Sequence, residues 1–322
     1  MGTLWGKNNI YLFLRHYVDW CTRWSYRRIR IEGKENIPQD APVIYASNHC
    51  CTLMDPLVIL LSSHQPTAFG ARADIFRKPK IYAILHWLRM VPLARERDGK
   101  SAVASNHDTF EEIAECIGHR VPFGIFVEGT HHPDRGLLPI HKGVFKIAVV
   151  AEEKLGENVS IVPVGLAYEK FFTYMTDVTM RFGEPIVMAE HPGENLTELL
   201  TQRMLGLIEP YPVSKTYPLW ASIPLSIISL PIFIVAAVLA APMVIATLIF
   251  SRKFKDYAWI NTVRFCSKLA LLPILMIIWG VLMFIFAPWW AAVITLIALI
   301  FSHSVFYLLY NFYKKTIHSI KK

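Results

Sequence analysis

Two long stretches without a charged residue constrain this 322-residue chain more than any other feature. Residues 219–250 run 32 positions with no Asp, Glu, Lys or Arg, and residues 269–313 run 45 with only His303 able to titrate near neutral pH. A membrane crossing needs about 20 apolar residues, so each stretch is too long for one simple span. Ala287-Pro288 divides the second into expected spans at 269–286 and 289–310, with Trp289, Trp290, Tyr307, Tyr310 and Tyr313 as expected interface anchors. Pro224, Pro231 and Pro242 interrupt the first, each removing a backbone donor and favouring a kink or turn.

Charge sharpens this division. From Leu219 onward nine Lys and Arg face a single acid, Asp256, so this region carries the whole net charge of +8 and residues 1–218 are balanced. A nucleic-acid partner would need a basic face on the folded domain, and this distribution offers none. The basic loop 251–268 and the tail from Lys314 are expected on the cytoplasmic side. Residues 219–250 must then return to the side they left, as a hairpin or re-entrant pair. The alternative is one long tilted helix that places residues 1–218 opposite the basic loop. Five cysteines in no metal-binding spacing fit a reducing compartment.

The front of the chain reads differently. Aromatics and arginines mix over residues 8–30, which suits an interfacial helix or an amphipathic helix packed on the domain. From Ile31 onward, apolar runs (APVIYASNH, PFGIFVEGT, NVSIVPVGLAY) alternate with helical periodicity at 76–90, 101–118 and 141–155. That alternation predicts an α/β class with a mixed sheet flanked by helices, followed by an all-α transmembrane region. The expected organisation is an amphipathic helix over 1–30, an α/β domain over 31–212 and membrane helices with a basic tail over 213–322.

Polar strings follow the apolar runs, where loops leave the carboxyl ends of strands. In Asn48-His49-Cys50-Cys51-Thr52-Leu53-Met54-Asp55-Pro56, His49 could be a general base and Asp55 the carboxylate that orients it. Asp55 before Pro56 could equally cap a helix. Cys50 and Cys51 invite a nucleophilic reading, but buried structural thiols fit them better. Three more blocks follow in order: Val91 to Gly99 with Arg95, Phe126-Val127-Glu128-Gly129-Thr130 with Leu138 to Gly143, and Ile161-Val162-Pro163-Val164-Gly165.

This ordered set resembles the PlsC-like glycerolipid acyltransferases, which act on 1-acylglycerol 3-phosphate or glycerol 3-phosphate, and neighbouring phrases resemble bacterial members. The resemblance implies His49 and Asp55 as the catalytic pair. It also implies Arg95, Glu128, Gly129, Thr130, Lys142 and Pro163 as substrate-binding residues, with Arg95 on the acceptor phosphate. The implied partners are an acyl thioester donor (acyl-CoA or acyl-carrier protein), lysophosphatidate or glycerol 3-phosphate, and membrane lipids. Neither metal nor other cofactor is expected, and the place is the bacterial inner membrane with the catalytic domain on its cytoplasmic face. Another lyso-lipid acceptor, a thioesterase and an inactive membrane scaffold are the alternatives. The chain departs from the family pattern in three ways: five residues separate His49 from Asp55, Val127 replaces a proline, and His131 and His141 replace cations. Those two histidines would make acceptor binding pH-sensitive, or are loop residues without a role.

Overall fold

The computed structural model describes residues 3–62, 66–95, 99, 106–132, 134–213 and 217–321. Its centre is an eight-stranded mixed sheet in the order β1 (Arg28–Glu32), β7 (Asp177–Phe182), β6 (Ser160–Tyr168), β2 (Val43–Ser47), β5 (Phe123–Phe126), β3 (Ala68–Arg72), β4 (Met90–Leu93), with β8 (Ile186–Val187) also against β6. β2 runs parallel to both β5 and β6, and β6 runs antiparallel to β7 and β8. Every residue of β2 and β6 is buried. This explains why both read as continuous apolar runs rather than alternating ones.

Helices cover both faces. On one, α4 (Asn106–Gly118), α5 (Gly143–Leu155) and α6 (Leu196–Ile208) pack Ile113, Ile147 and Met204 against Ile44, Ala46 and Ile161. On the other, α2 (Met54–Leu60) places Met54 and Val58 against Tyr45, Val162 and Val164. α1 (Asn9–Arg23) closes that face through Cys21, and α3 (Pro79–Trp87) links β3 to β4. Part of the helical stretch expected over 101–118 lies outside the described residues. The first segment also differs from expectation at its end: α1 stops at Arg23, and Arg28 and Arg30 lie in β1, paired with Asp177 and Thr179. α1 is clamped on the domain, where buried Arg15 donates to the Leu60 carbonyl at 3.1 Å, yet Ile10 and Phe13 stay exposed on its outer side.

Three helices, α7 (Leu219–Ser251), α8 (Ile260–Phe286) and α9 (Trp289–Ile320), are long and apolar enough to cross a membrane. α8 and α9 separate at Ala287-Pro288, as the sequence predicts. α7 is helical throughout, with no loop where a hairpin or re-entrant pair was expected. In a lipid setting an unpaired backbone group costs several kcal/mol, which favours a continuous helix even across three prolines. It is not straight, however. Ser229 meets Tyr313 at 2.9 Å and Phe233 stacks on Phe306 at 5.5 Å, so α7 starts antiparallel to α9. Val244 then packs against Tyr174, Met175 and Tyr307. A straight helix would carry Val244 roughly 16 Å beyond Phe233, well past Tyr307. α7 therefore bends between Phe233 and Val244, which brings Val244 to Tyr174 and Met175 of the preceding domain.

Two further expectations need correction. Arg264 and Lys268 are not loop residues but lie on α8: Arg264 donates to the Phe172 carbonyl at 2.8 Å, and fully buried Lys268 reaches the Trp24 carbonyl and the Ser304 hydroxyl, each at 3.4 Å. The domain's own carbonyls hold these cations. Tyr307 is buried against Tyr174 rather than placed as an outward anchor, whereas Trp289 and Trp290 are exposed.

Candidate active site

β2 delivers its carboxyl end to a loop that is tied to the neighbouring strands and loops by hydrogen bonds. Asn48, fully buried, pairs with Leu166 of β6 through both side-chain atoms, Nδ2 donating to its carbonyl at 3.0 Å and Oδ1 accepting its amide at 2.7 Å. His49 follows, with its amide donating to Glu128 Oε1 at 2.7 Å and its carbonyl accepting from the His132 amide at 3.1 Å. Its ring lies flat on Phe126, centroids 4.1 Å apart. Backbone and ring are thus fixed independently.

His49 Nδ1 and Asp55 Oδ2 are 2.7 Å apart. Oδ2 also accepts the Cys50 and Cys51 amides, each at 2.7 Å, and Oδ1 accepts the Tyr168 hydroxyl at 2.6 Å. Asp55 is fully buried, so these four donors replace the water its charge would otherwise need. The helix-cap reading of Asp55 does not hold: Leu53 occupies the N-cap of α2 without a side-chain bond, and Asp55 reaches back into the preceding loop instead. The five-residue interval is taken up there by Thr52, at a left-handed φ of 42°. The Thr52 hydroxyl sits 2.6 Å from that of Thr262 on α8.

Electrostatics favour the imidazole over the thiols as the reactive group. Burial, reinforced by the Asp55 carboxylate, pushes the Cys50 and Cys51 thiols well above their ordinary range. They remain protonated and poorly nucleophilic. Burial beside Asp55 likewise raises the Tyr168 phenol, which keeps it a donor. With Nδ1 committed to Asp55 and 18% of the His49 side chain exposed, Nε2 is the nitrogen left for chemistry. Among the described residues, no group of three or more His, Cys, Asp or Glu side chains could hold a metal ion.

Residues 28–167, which contain this loop and its partners other than Tyr168 and Thr262, match the family model described as Acyltransferase. Over that stretch the chain is similar to the acyltransferase family. It is 33% identical over 144 residues to a chloroplastic 1-acyl-sn-glycerol-3-phosphate acyltransferase of Brassica napus, covering 44% of this chain and 38% of that protein. It is 26% identical over 193 residues to a 1-acyl-sn-glycerol-3-phosphate acyltransferase of Borreliella burgdorferi, covering 56% of this chain and 72% of that one. The matched region therefore spans little more than a third of the plant protein and most of the bacterial one. Among solved structures, the 1-acyl-sn-glycerophosphate acyltransferase PlsC of Thermotoga maritima aligns with a TM-score of 0.47 at 24% identity, over 64% of this chain and 82% of that one.

Within residues 28–167 the other residues singled out from sequence fall into two groups. Arg95 lies just past β4, whose carboxyl end is level with those of β2 and β5 in the parallel part of the sheet. Neighbouring strands are about 4.8 Å apart, so three strand steps separate the backbone near Arg95 from the β2 loop by ~14 Å. Asn106 fixes the preceding residue, exchanging two 2.9 Å hydrogen bonds with the Ala94 backbone. Glu96, Arg97 and Asp98 of that block lie outside the described residues. Thr130, past the end of β5, and Lys142, just before α5, are exposed.

Glu128, Gly129 and Pro163 act inward instead. Both carboxylate oxygens of buried Glu128 are occupied by the protein: Oε1 by the His49 amide, and Oε2 by the Leu138 amide at 2.7 Å and His132 Nε2 at 2.5 Å. It ties two loops together and leaves no acceptor facing a substrate. Gly129 has φ +63°, and a Cβ there would meet the His141 ring at 3.0 Å, so the turn requires glycine. Pro163 is buried in β6, paired with Ala46. It lies between the β8-paired and β7-paired parts of the strand, so its missing N–H breaks no ladder bond. Tyr168, Phe126, Asn48 and His132 were not identified from sequence. The apolar strand runs containing Tyr168 and Phe126 gave no hint of contact with His49 or Asp55.

Proposed function

We propose that this protein transfers a fatty acyl group from an acyl thioester, acyl-CoA or acyl-carrier protein, to the hydroxyl of 1-acylglycerol 3-phosphate, producing phosphatidate at a membrane surface. The observation that carries this reading is the His49–Asp55 pair, buried on the carboxylate side and open at Nε2. In the proposed step Nε2 takes the proton of the acceptor hydroxyl, and the oxygen attacks the thioester carbonyl. The tetrahedral intermediate expels the thiolate, which recovers the proton from His49. Asp55 keeps Nδ1 protonated and offsets the imidazolium charge while it exists. This sequence of steps uses no metal or organic cofactor. The names of the plant and bacterial relatives support lysophosphatidate as acceptor, while a 92-residue match, 34% identical, to glycerol-3-phosphate O-acyltransferase 2 of Saccharomyces cerevisiae keeps glycerol 3-phosphate as the second reading.

The apolar helices support membrane association, and the exposed cations Arg252, Lys253 and Lys255 between α7 and α8 support placing that loop and the adjoining domain on the cytoplasmic side of a bacterial inner membrane. Thiol release from acyl-CoA, measured with each phosphate acceptor and with none, tests the reaction. We expect release that depends on lysophosphatidate and falls by about 10²–10⁴ in His49→Ala, the usual contribution of a general base. Full release without any acceptor would instead make the protein a thioesterase.

A further inference from the structure

The apolar helices do more than sit beside the catalytic domain, because the segment joining α7 to α8 forms one wall of the site. Asp256, the single acid in the chain beyond Leu219, lies 2.7 Å from His131 Nε2 through its Oδ2. Its other oxygen accepts the Ala258 amide at 2.9 Å, which fixes the carboxylate at the start of a short turn, Tyr257–Trp259. Trp259 from that turn stands edge-on to the His131 ring, with centroids 6.5 Å apart. His131 in turn stands edge-on to His49, at 5.7 Å. Three more bonds fasten the same segment to the site loops. Besides the Thr52–Thr262 pair, Asn261 Nδ2 donates to the Phe171 carbonyl at 2.7 Å, and Arg264 donates to that of Phe172.

We infer that Asp256 is a positioning residue for the acceptor: it holds His131 beside His49, where the ring binds the acceptor phosphate. The inference rests on the proposed reaction, and the spacing follows from the acceptor's own covalent structure. The reacting hydroxyl must lie within hydrogen-bond reach of His49 Nε2. In a glycerol 3-phosphate unit the phosphorus is four single bonds of ~1.5 Å from the 2-hydroxyl oxygen, hence at most about 5 Å away. A phosphate ligand must therefore sit one small group away from His49, and the His131 ring is at that distance. With Nε2 engaged by Asp256, Nδ1 is the nitrogen that turns to the phosphate, in the same division of labour as in the His49–Asp55 pair. The membrane segment thereby supplies part of acceptor recognition in addition to anchoring the enzyme.

Full-length protein in detergent or vesicles tests this through Asp256→Asn, His131→Asn and the double variant, with Asp256→Glu as the conservative control. Acceptor KM should rise about three- to tenfold in each single variant, while donor KM and thermal stability stay near wild type. That range lies just below what a hydrogen bond to a charged group usually contributes, as expected for an Asp256 that is half exposed. The double variant should be no worse than His131→Asn alone, the non-additivity expected of residues acting as one unit, and Asp256→Glu should recover part of the loss. Unchanged acceptor KM in Asp256→Asn, or equal losses for donor and acceptor, would overturn the inference. If wild type transfers to neither phosphate acceptor, the proposed reaction itself has failed, which is a distinct outcome.

Discussion

At the scale of single residues, the chemistry rests on satisfying one buried carboxylate. Asp55 accepts from His49, Tyr168 and two amides, so removing any donor leaves charge in a dry place. Tyr168→Phe should cost about 1.5–3 kcal/mol of stability, as for a lost hydrogen bond to a charged group, and lower kcat with little change in either KM. Thermal unfolding together with steady-state kinetics checks both, and an unaltered melting temperature would show that the phenol bond is dispensable. Glu128→Gln tests the second tie. A side-chain amide cannot accept from the His49 and Leu138 amides on both of its ends, so one N–H loses its partner. We expect a loss of ~1–3 kcal/mol and a clear fall in kcat; a stable, fully active variant would return Glu128 to a substrate-facing role. The sequence made His49 and Asp55 visible because they are close in the chain and chemically distinctive. Tyr168 is 113 residues from Asp55, and in a strand of apolar neighbours it looks like ordinary core.

At the scale of elements, β6 carries the site and also accepts a helix at very short range. A Cβ on Gly165 would lie 2.6 Å from the backbone of Leu207 in α6. Gly165→Ala should therefore push α6 off the sheet and destabilise the protein by about 1–3 kcal/mol, the usual cost of overpacking. Urea unfolding would read this, and a neutral result would mean α6 can slide without penalty. The buried strands were legible because a doubly covered strand leaves an unbroken apolar run, and Gly143–Leu155 because its apolar residues recur at helical spacing. Pro163 was not legible as a strand residue on its own terms. Its tolerance depends on which strand lies opposite, β8 or β7, and that is decided by chain folding some 20 residues later. The three prolines of the first apolar stretch suggested a turn, and the chain instead bends while keeping helical backbone pairing.

At the scale of the whole molecule, the catalytic domain and the apolar helices share an interior. Phe265 of α8 is 1% exposed and belongs to the same core cluster as Tyr45, Val58 and Val164. A version truncated after residue 217 should consequently be unstable or aggregated and fail to turn over even soluble short-chain thioesters. Expression of that fragment followed by a thiol-release assay decides the point; a well-folded, active fragment would show that the helices only anchor. Phe265→Ala in the full chain should cost about 3–5 kcal/mol, typical of emptying an aromatic core position. The two-part layout was legible from charge and hydropathy, but the joint was not, because Thr52 and Thr262 are 210 residues apart and neither is unusual alone. The joint also orders events during synthesis. A ribosome releases the sheet long before it releases residue 265, so the nascent enzyme lacks a plug in its own interior until α8 has emerged. Activity is therefore expected only once α8 has been made and has docked on the sheet.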